Sequence, residues 1–252
     1  MTDEVVHLSV ENGIATITLD SPGNRNALSK QLVTELSDRL ERSTEDDAAR
    51  AVVLTHTGTT FCAGADLTEA TAGGMAEGTT ALLRLLRTIV ALPKPVVARI
   101  DGHVRAGGLG LVGACDIAVA SESSSFAFSE VRLGLAPAII SLTVLPRLDA
   151  RAAGRYLLSG EKFDGTVAAQ IGLVTLAASD VDKALAEILT GLRAGSPQGL
   201  AESKKLVTAE VLAALDQRGQ AMAELSARLF ASEEAQEGMT SFLQRRPPRW
   251  AG

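Results

Sequence analysis

Only two cysteines occur in 252 residues, Cys62 and Cys115. No CxxC pair or His-x-x-x-His spacing lies near either, so neither a disulfide framework nor a zinc site is supported. Both read as packed thiols, free cysteine being among the most buried residue types. The three histidines, His7, His56 and His103, are scattered and read as structural rather than as ligands or bases, so no metal is expected. Basic charge is also scarce: 24 Lys and Arg against 30 Asp and Glu leave a net charge of −6. Nucleic-acid binders present basic patches to phosphates, so no nucleic-acid partner is expected. No apolar run approaches the ~20 residues that cross a bilayer, and the acidic start MTDEVVHLSVENG lacks a basic region followed by an apolar one. No membrane partner is expected, and a cytoplasmic location is.

What is present suffices for a sizeable core: 46% of residues are hydrophobic and 21% charged. In the first half, strand and helix signals alternate. VVHLSV and IATITL flank Glu-Asn-Gly and predict a hairpin, Asn-Gly being a strong turn signal. Ser29 is positioned to cap a helix with Leu32, Val33, Leu36 and Leu40 on one stripe. A buried strand AVVLTH follows, then the loop TGTTFCAGADL and a Gly/Thr-rich segment, 71–80, expected to be mobile. The helix ALLRLLRTIVAL stops at Pro93, PVVARI is a strand, a glycine-rich loop opens a helix into Cys115, and DIAVAS is again a strand. Strand, crossover helix and strand repeat, which points to a parallel sheet. From about Ile139 onward the pattern reads as nearly all helical, an extension on an α/β core.

The glycine-rich stretch RAGGLGLVGACD, 105–116, carries Gly108-x-Gly110-x-x-Gly113, the spacing of a dinucleotide fingerprint, with Glu130 about 20 residues on. A nucleotide turn places its first glycine at the strand end, whereas DGHVRA separates Ile100 from Gly107 here. A second reading, which that misfit favours, uses the same physics without a phosphate. Small residues opening a helix leave backbone N–H groups unobstructed in the positive field of its N-terminus, where they can hold a developing oxyanion. The turn FCAGADL, through Gly64 and Ala65, is the candidate for the second donor of such a pair.

RNALS (25–29), FCAGADL (61–67), LPKPVVARIDG (92–102), AGGLGL (106–111), ACDIAVAS (114–121), FSEVRLGLAPA (128–138), LLSGEKFDGTVAAQIGLV (157–174) and SPQGLAESKKLV (196–207) occur in one order. Together they resemble the crotonase superfamily of enoyl-CoA hydratases and isomerases. The resemblance implies an α/β fold, a spiral of repeated ββα units, with a catalytic and acyl-CoA-binding core over 1–195. It also implies a C-terminal helical region over 196–252 that packs a homotrimer, commonly doubled to a hexamer. The implied substrate is an acyl-CoA thioester, with coenzyme A part of the substrate and no separate cofactor. By motif position the enolate oxygen is held by the amides of Ala65 and Gly107. Coenzyme A is expected along Arg25 and Ala27 for the pantetheine, and along Ala63, Asp66 and Leu67 for the adenine. Arg25 is also positioned to meet a phosphate, and reads equally as a solvated turn charge.

Hydratases of this family commonly use two glutamates. One maps to Glu130; the other would stand where this chain has Gly110. With a single carboxylate three outcomes remain: hydration of a 2-enoyl-CoA with Glu130 as both base and acid, transfer of a double bond between C3 and C2 by the same group, or acyl-CoA binding with weak catalysis. GGLGL combined with SEVRLGLAPAIIS resembles a bacterial subgroup of branched-chain or methylglutaconyl-type hydratases and favours hydration. On that reading Gly110, Pro137 and Ile139 line the substrate pocket, the glycine opening volume for a bulkier acyl group. Arg105 is then a candidate partner for a distal substrate carboxylate, a geometry arginine suits, against the plainer reading of a surface-loop arginine.

Overall fold

The computed structural model describes residues 4–71 and 75–251. Asn12 and Gly13 take positive φ, 49° and 79°, the left-handed pair that a two-residue hairpin requires. Across them strands β1 (Val6–Glu11) and β2 (Ile14–Leu19) pair antiparallel, as the sequence predicts. Next come α1 (Lys30–Glu45), β3 (Ala51–His56), β4 (Thr60–Cys62), α2 (Leu67–Thr71), α3 (Met75–Ala91), β5 (Val96–Ile100), β6 (His103–Arg105), α4 (Gly107–Ala114), β7 (Ile117–Ser121) and β8 (Ser125–Ala127). The remainder runs α5 (Ser141–Val144), α6 (Ala150–Ser159), β9 (Phe163–Asp164), α7 (Gly165–Gln170), β10 (Leu176–Ala178), α8 (Val181–Ala194), α9 (Pro197–Phe230) and α10 (Glu233–Leu243).

Two sheets organise these elements. The larger has the order β1-β2-β3-β5-β7-β10, parallel from β2 onward; the smaller has the order β4-β6-β8-β9. Strands buried on both faces need continuous apolar runs, and Ala51–Leu54 and Val96–Ala98 supply them. Helix α1 starts where Ser29 Oγ accepts the Leu32 N–H at 3.2 Å, and Leu32, Leu36 and Leu40 are fully buried. Each of those leucines stabilises the fold by about 1.5–3 kcal/mol relative to exposure.

Three expectations are corrected. The second half is not purely helical: β10 extends the large sheet beside β7, and β9 closes the small one against β8. The Gly/Thr-rich segment over 71–80, expected to be mobile, contains the start of α3 at Met75, and its Thr79 is buried; residues 72–74 lie outside the described residues. DGHVRA is not a bare linker either. It holds β6, so the glycine loop follows a strand after one residue, and distance from a strand does not argue against a nucleotide turn.

What the glycines do is packing. A Cβ on Gly108 would stand 2.8 Å from both the carbonyl oxygen and the Cβ of Cys62 in β4, and one on Gly113 would stand 2.8 Å from the Thr143 carbonyl in α5. Helix α4 is thus wedged between a strand and a helix at a closeness only glycine allows.

Helix α9 begins at Pro197, where Ser196 Oγ accepts the Gly199 N–H. Its inner face nonetheless belongs to the main core: Val211, Leu215 and Ala223 join the cluster that includes Leu85, Leu86 and Ile89 of α3. Lys204 fastens it further. Buried in α9, its Nζ donates to Asp116 Oδ2 (2.8 Å), Ile89 O (2.9 Å) and Lys94 O (3.0 Å), which uses all three ammonium hydrogens.

Candidate active site

Three parallel strands of the small sheet, β4, β6 and β8, end side by side. Cys62 pairs with Val104, and Arg105 with Ala127, so the chain leaves the sheet at nearly the same level on each strand. The residues just past those ends include Ala65, Gly107 and Glu130. The carboxyl ends of parallel strands are where α/β folds gather ligands.

The first two residues offer backbone donors. Gly64 takes φ +88°, and a Cβ there would stand 3.2 Å from the Gly107 nitrogen, so the two turns touch. Ala106 takes φ 45° and ψ −121°, a conformation a non-glycine residue adopts only under strain, of order 1–3 kcal/mol, and it turns the chain into α4. The Ala65 and Gly107 N–H groups, both partly accessible, have no acceptor among the described residues. Two unengaged amides on touching turns, one at a helix N-terminus, can polarise a single oxygen.

Glu130 opens a 3-10 turn, Glu130–Leu133, that closes on Gly134 at φ 70°. Its side chain is buried, and Oε2 has no hydrogen-bond partner. Burial pushes its carboxyl up to about 7. A carboxyl near that value gains and loses a proton readily at neutral pH. The turn is clamped from outside by α10: a Cβ on Gly134 would stand 2.7 Å from the Glu234 carbonyl carbon, and one on Gly238 would stand 2.4 Å from the Leu133 oxygen.

The residues expected along coenzyme A lie together. Ala63 N–H donates to Arg25 O (3.1 Å), Leu28 N–H donates to Gly64 O (2.8 Å), and Leu28 and Ala65 form a parallel bridge. Arg25 holds φ 60°, Ala27 is buried, and Asp66 accepts a bond from Asn24 Nδ2 (3.2 Å) while capping α2 at Thr68 N–H (2.9 Å). Leu67 and Leu133 both pack against the cluster of Leu135, Ala235 and Met239, which links this loop to the turn of Glu130. The residue that sequence reading missed is Asn26. Fully buried, it accepts the Ser21 N–H (2.6 Å) and donates to Thr57 O (3.2 Å) and Thr60 O (2.8 Å), tying the loop after β2 to the one before β4. Its place inside RNALS was visible; its burial was not.

Two expectations change here. Gly110 opens no pocket volume, because a Cβ there would stand 2.5 Å from Ile140 Cγ2, 3.0 Å from Ile140 Cβ and 3.4 Å from Leu86 Cδ1. The space is already filled. Arg105 is neither a loop arginine in solvent nor a free guanidinium: it donates to Val104 O (2.8 Å), Ser125 O and Ser125 Oγ (2.9 Å), clamping β6 to β8. Of the other pocket candidates, Ile139 is buried in the main core, and Pro137 is half-buried, its carbonyl accepting the Ser141 N–H at the start of α5.

Both cysteines are buried, and desolvation pushes each thiol up to about 12, which leaves them neutral packing groups. Among the described residues no three His, Cys, Asp or Glu side chains are grouped to hold a metal, and no helix is long and apolar enough to cross a membrane.

Comparison with known proteins agrees with this fold. A crystal structure of an enoyl-CoA hydratase from Mycobacterium avium superimposes with a TM-score of 0.92 at 53% identity, covering 99% of this chain and 100% of that one. The 2,3-dehydroadipyl-CoA hydratase of Escherichia coli is 30% identical over 254 residues, 97% of this chain and 98% of its own. The family described as enoyl-CoA hydratase/isomerase matches residues 9–252. With two amide donors, a buried carboxyl and the crotonase fold of two sheets and C-terminal helices, the chain belongs to the enoyl-CoA hydratase/isomerase family.

Proposed function

We propose that this enzyme hydrates a 2-enoyl-CoA with Glu130 as the only acid/base group. The thioester oxygen sits between the Ala65 and Gly107 amides, with coenzyme A along Arg25, Ala27, Ala63, Asp66 and Leu67. Glu130, ionised, takes a proton from water as the water oxygen bonds to C3, and the displaced π electrons pass to the thioester oxygen as an enolate. The two amides hold that charge, each donor contributing about 2.7–4 kcal/mol by precedent. The protonated Glu130 then gives its proton to C2, the enolate collapses to the thioester, and one water has been added. The observation that carries this reading is the buried Glu130 carboxyl, its Oε2 without a partner, just past the end of the strand beside the one leading to Gly107.

The apolar filling at Gly110 supports a second reading. With no other carboxylate at that position, the same Glu130 can remove a proton from C2 of a 3-enoyl-CoA, leaving a dienolate held by the two amides, and return it to C4, moving the double bond from C3 to C2 without water. The acyl group is read by substrate comparison, in which the resemblance of GGLGL (107–111) with SEVRLGLAPAIIS (129–141) to branched-chain and methylglutaconyl-type hydratases makes 3-methylglutaconyl-CoA a test compound. Wild type and Glu130→Gln are offered crotonyl-CoA, 3-methylglutaconyl-CoA and 3-hexenoyl-CoA in ¹⁸O-labelled water, with products read by mass spectrometry. A labelled hydroxyacyl product, lost in the variant, supports hydration. An unlabelled 2-enoyl product from 3-hexenoyl-CoA alone supports isomerisation instead. Homotrimers, doubled to hexamers, are the proposed assembly, and exposed Leu206 and Val207 on α9 offer apolar surface for it; light scattering that returned a monomer would remove this part.

A further inference from the structure

Gly110 lies three residues after Gly107 on α4, one helical turn along and on the same side as the proposed oxyanion donor. A side chain at 110 would therefore start close to the thioester carbonyl's neighbourhood. That start is obstructed by Ile140, whose Cγ2 and Cβ would stand 2.5 and 3.0 Å from the missing Cβ, with Leu86 behind at 3.4 Å. Ile140 is held there firmly. It is buried in the main core, and Thr143 Oγ1 shares its hydrogen between Gly110 O (3.1 Å) and Ile140 O (3.2 Å), locking α5 onto α4 at this pair. Nearby, Gly113 brings α4 against the Thr143 carbonyl, so α5 is closely packed on α4 on both sides of this pair.

We propose that Ile140 is a specificity-determining residue: its side chain closes the position one turn from Gly107 from which a second carboxylate could reach the substrate, and so restricts the site to chemistry that one carboxylate performs. This rests on the assignment of Glu130 and the Ala65/Gly107 donors made above. It follows that Gly110 and Ile140 are energetically coupled. A larger residue at 110 is tolerated only when 140 becomes small, and a glutamate admitted in that way supplies the acid/base group the native site lacks.

The test is a two-by-two cycle of Gly110→Glu and Ile140→Gly, with melting temperature and the ratio of crotonyl-CoA hydration to 3-hexenoyl-CoA isomerisation read for each form. Each single variant is expected to melt several degrees below wild type. The double variant should melt above the sum of the two losses, and its ratio should shift toward hydration by at least about tenfold, the lower side of what one acid/base group contributes being about 10². Strictly additive melting losses, or coupled melting with an unchanged ratio, overturn the proposal. Should Gly110→Glu fail to fold, the milder cycle of Gly110→Ala and Ile140→Ala reads the same coupling in melting temperature. Wild type and Glu130→Gln are assayed alongside: no Glu130-dependent turnover on either thioester defeats the functional reading, whereas Glu130-dependent turnover with an unmoved ratio defeats only the role of Ile140.

Discussion

A Cβ on Gly64 would stand 2.8 Å from Ala106 Cβ and 3.2 Å from the Gly107 nitrogen. The two donor turns are therefore in contact, and their spacing depends on a hydrogen atom where another residue would carry a methyl group. Gly64 also takes φ +88°. Gly64→Ala should strain the backbone and push the Ala65 and Gly107 amides apart. We expect kcat to fall about 10²–10³-fold, the cost of losing one oxyanion donor. A stability loss of about 1–2 kcal/mol should accompany it, from the left-handed backbone. Steady-state kinetics and urea unfolding measure the two separately.

Glu130 should also govern how stability depends on pH. Burial raises its carboxyl from the ordinary 4.5 to about 7. Between those values the folded chain binds more protons than the unfolded one, so the contribution is fully present below the lower value and is lost as pH rises through the upper. The span corresponds to about 3 kcal/mol. Glu130→Gln should leave the chain more stable than wild type at pH 8 and flatten this slope. Urea midpoints at pH 4.5, 6 and 8 for both proteins check it.

The Lys204–Asp116 pair makes a prediction about α9. Asp116 Oδ2 accepts from both Lys204 and the Val96 N–H (2.7 Å), while Oδ1 is buried with no partner. Lys204→Met leaves that carboxylate without its cation, and removing one member of a buried pair costs about 3–5 kcal/mol. The double variant with Asp116→Asn should recover part of the loss. Denaturant unfolding of the three variants gives the coupling.

Arg105 supplies a negative prediction. Because its guanidinium bonds Val104 and Ser125, Arg105→Ala should lower turnover of neutral and carboxylated enoyl-CoAs equally, with a fall in melting temperature as the main effect. A selective loss on 3-methylglutaconyl-CoA would show that the guanidinium turns toward substrate.

Apart from the three-residue β10, the large sheet was legible in the sequence because its strands are five or six residues of continuous or alternating apolar residues, and Asn12-Gly13 marks its hairpin. The small sheet was not. Three of its strands are three residues long and lie inside stretches dominated by Gly, Ala and Ser, too short for any period to register. Yet that sheet is what brings Ala65, Gly107 and Glu130 to one edge; those residues came from the family resemblance, not from periodicity. The role of Gly110 was misread for a related reason. A glycine in a sequence says that a side chain is missing and not what occupies the space, and Ile140 lies 30 positions away.

The central claim is that one carboxyl, Glu130, performs both proton transfers, and the pH dependence of kcat/KM on crotonyl-CoA tests it most directly. Acting first as a base, Glu130 must be ionised in the free enzyme, so wild-type kcat/KM should rise with pH through a single ionisation near 7 and then level. Glu130→Gln should fall about 10²–10⁴-fold and show no such step. A Glu130→Gln enzyme that keeps the wild-type rate and the step near 7 would contradict the account, because the ionising group would then lie elsewhere.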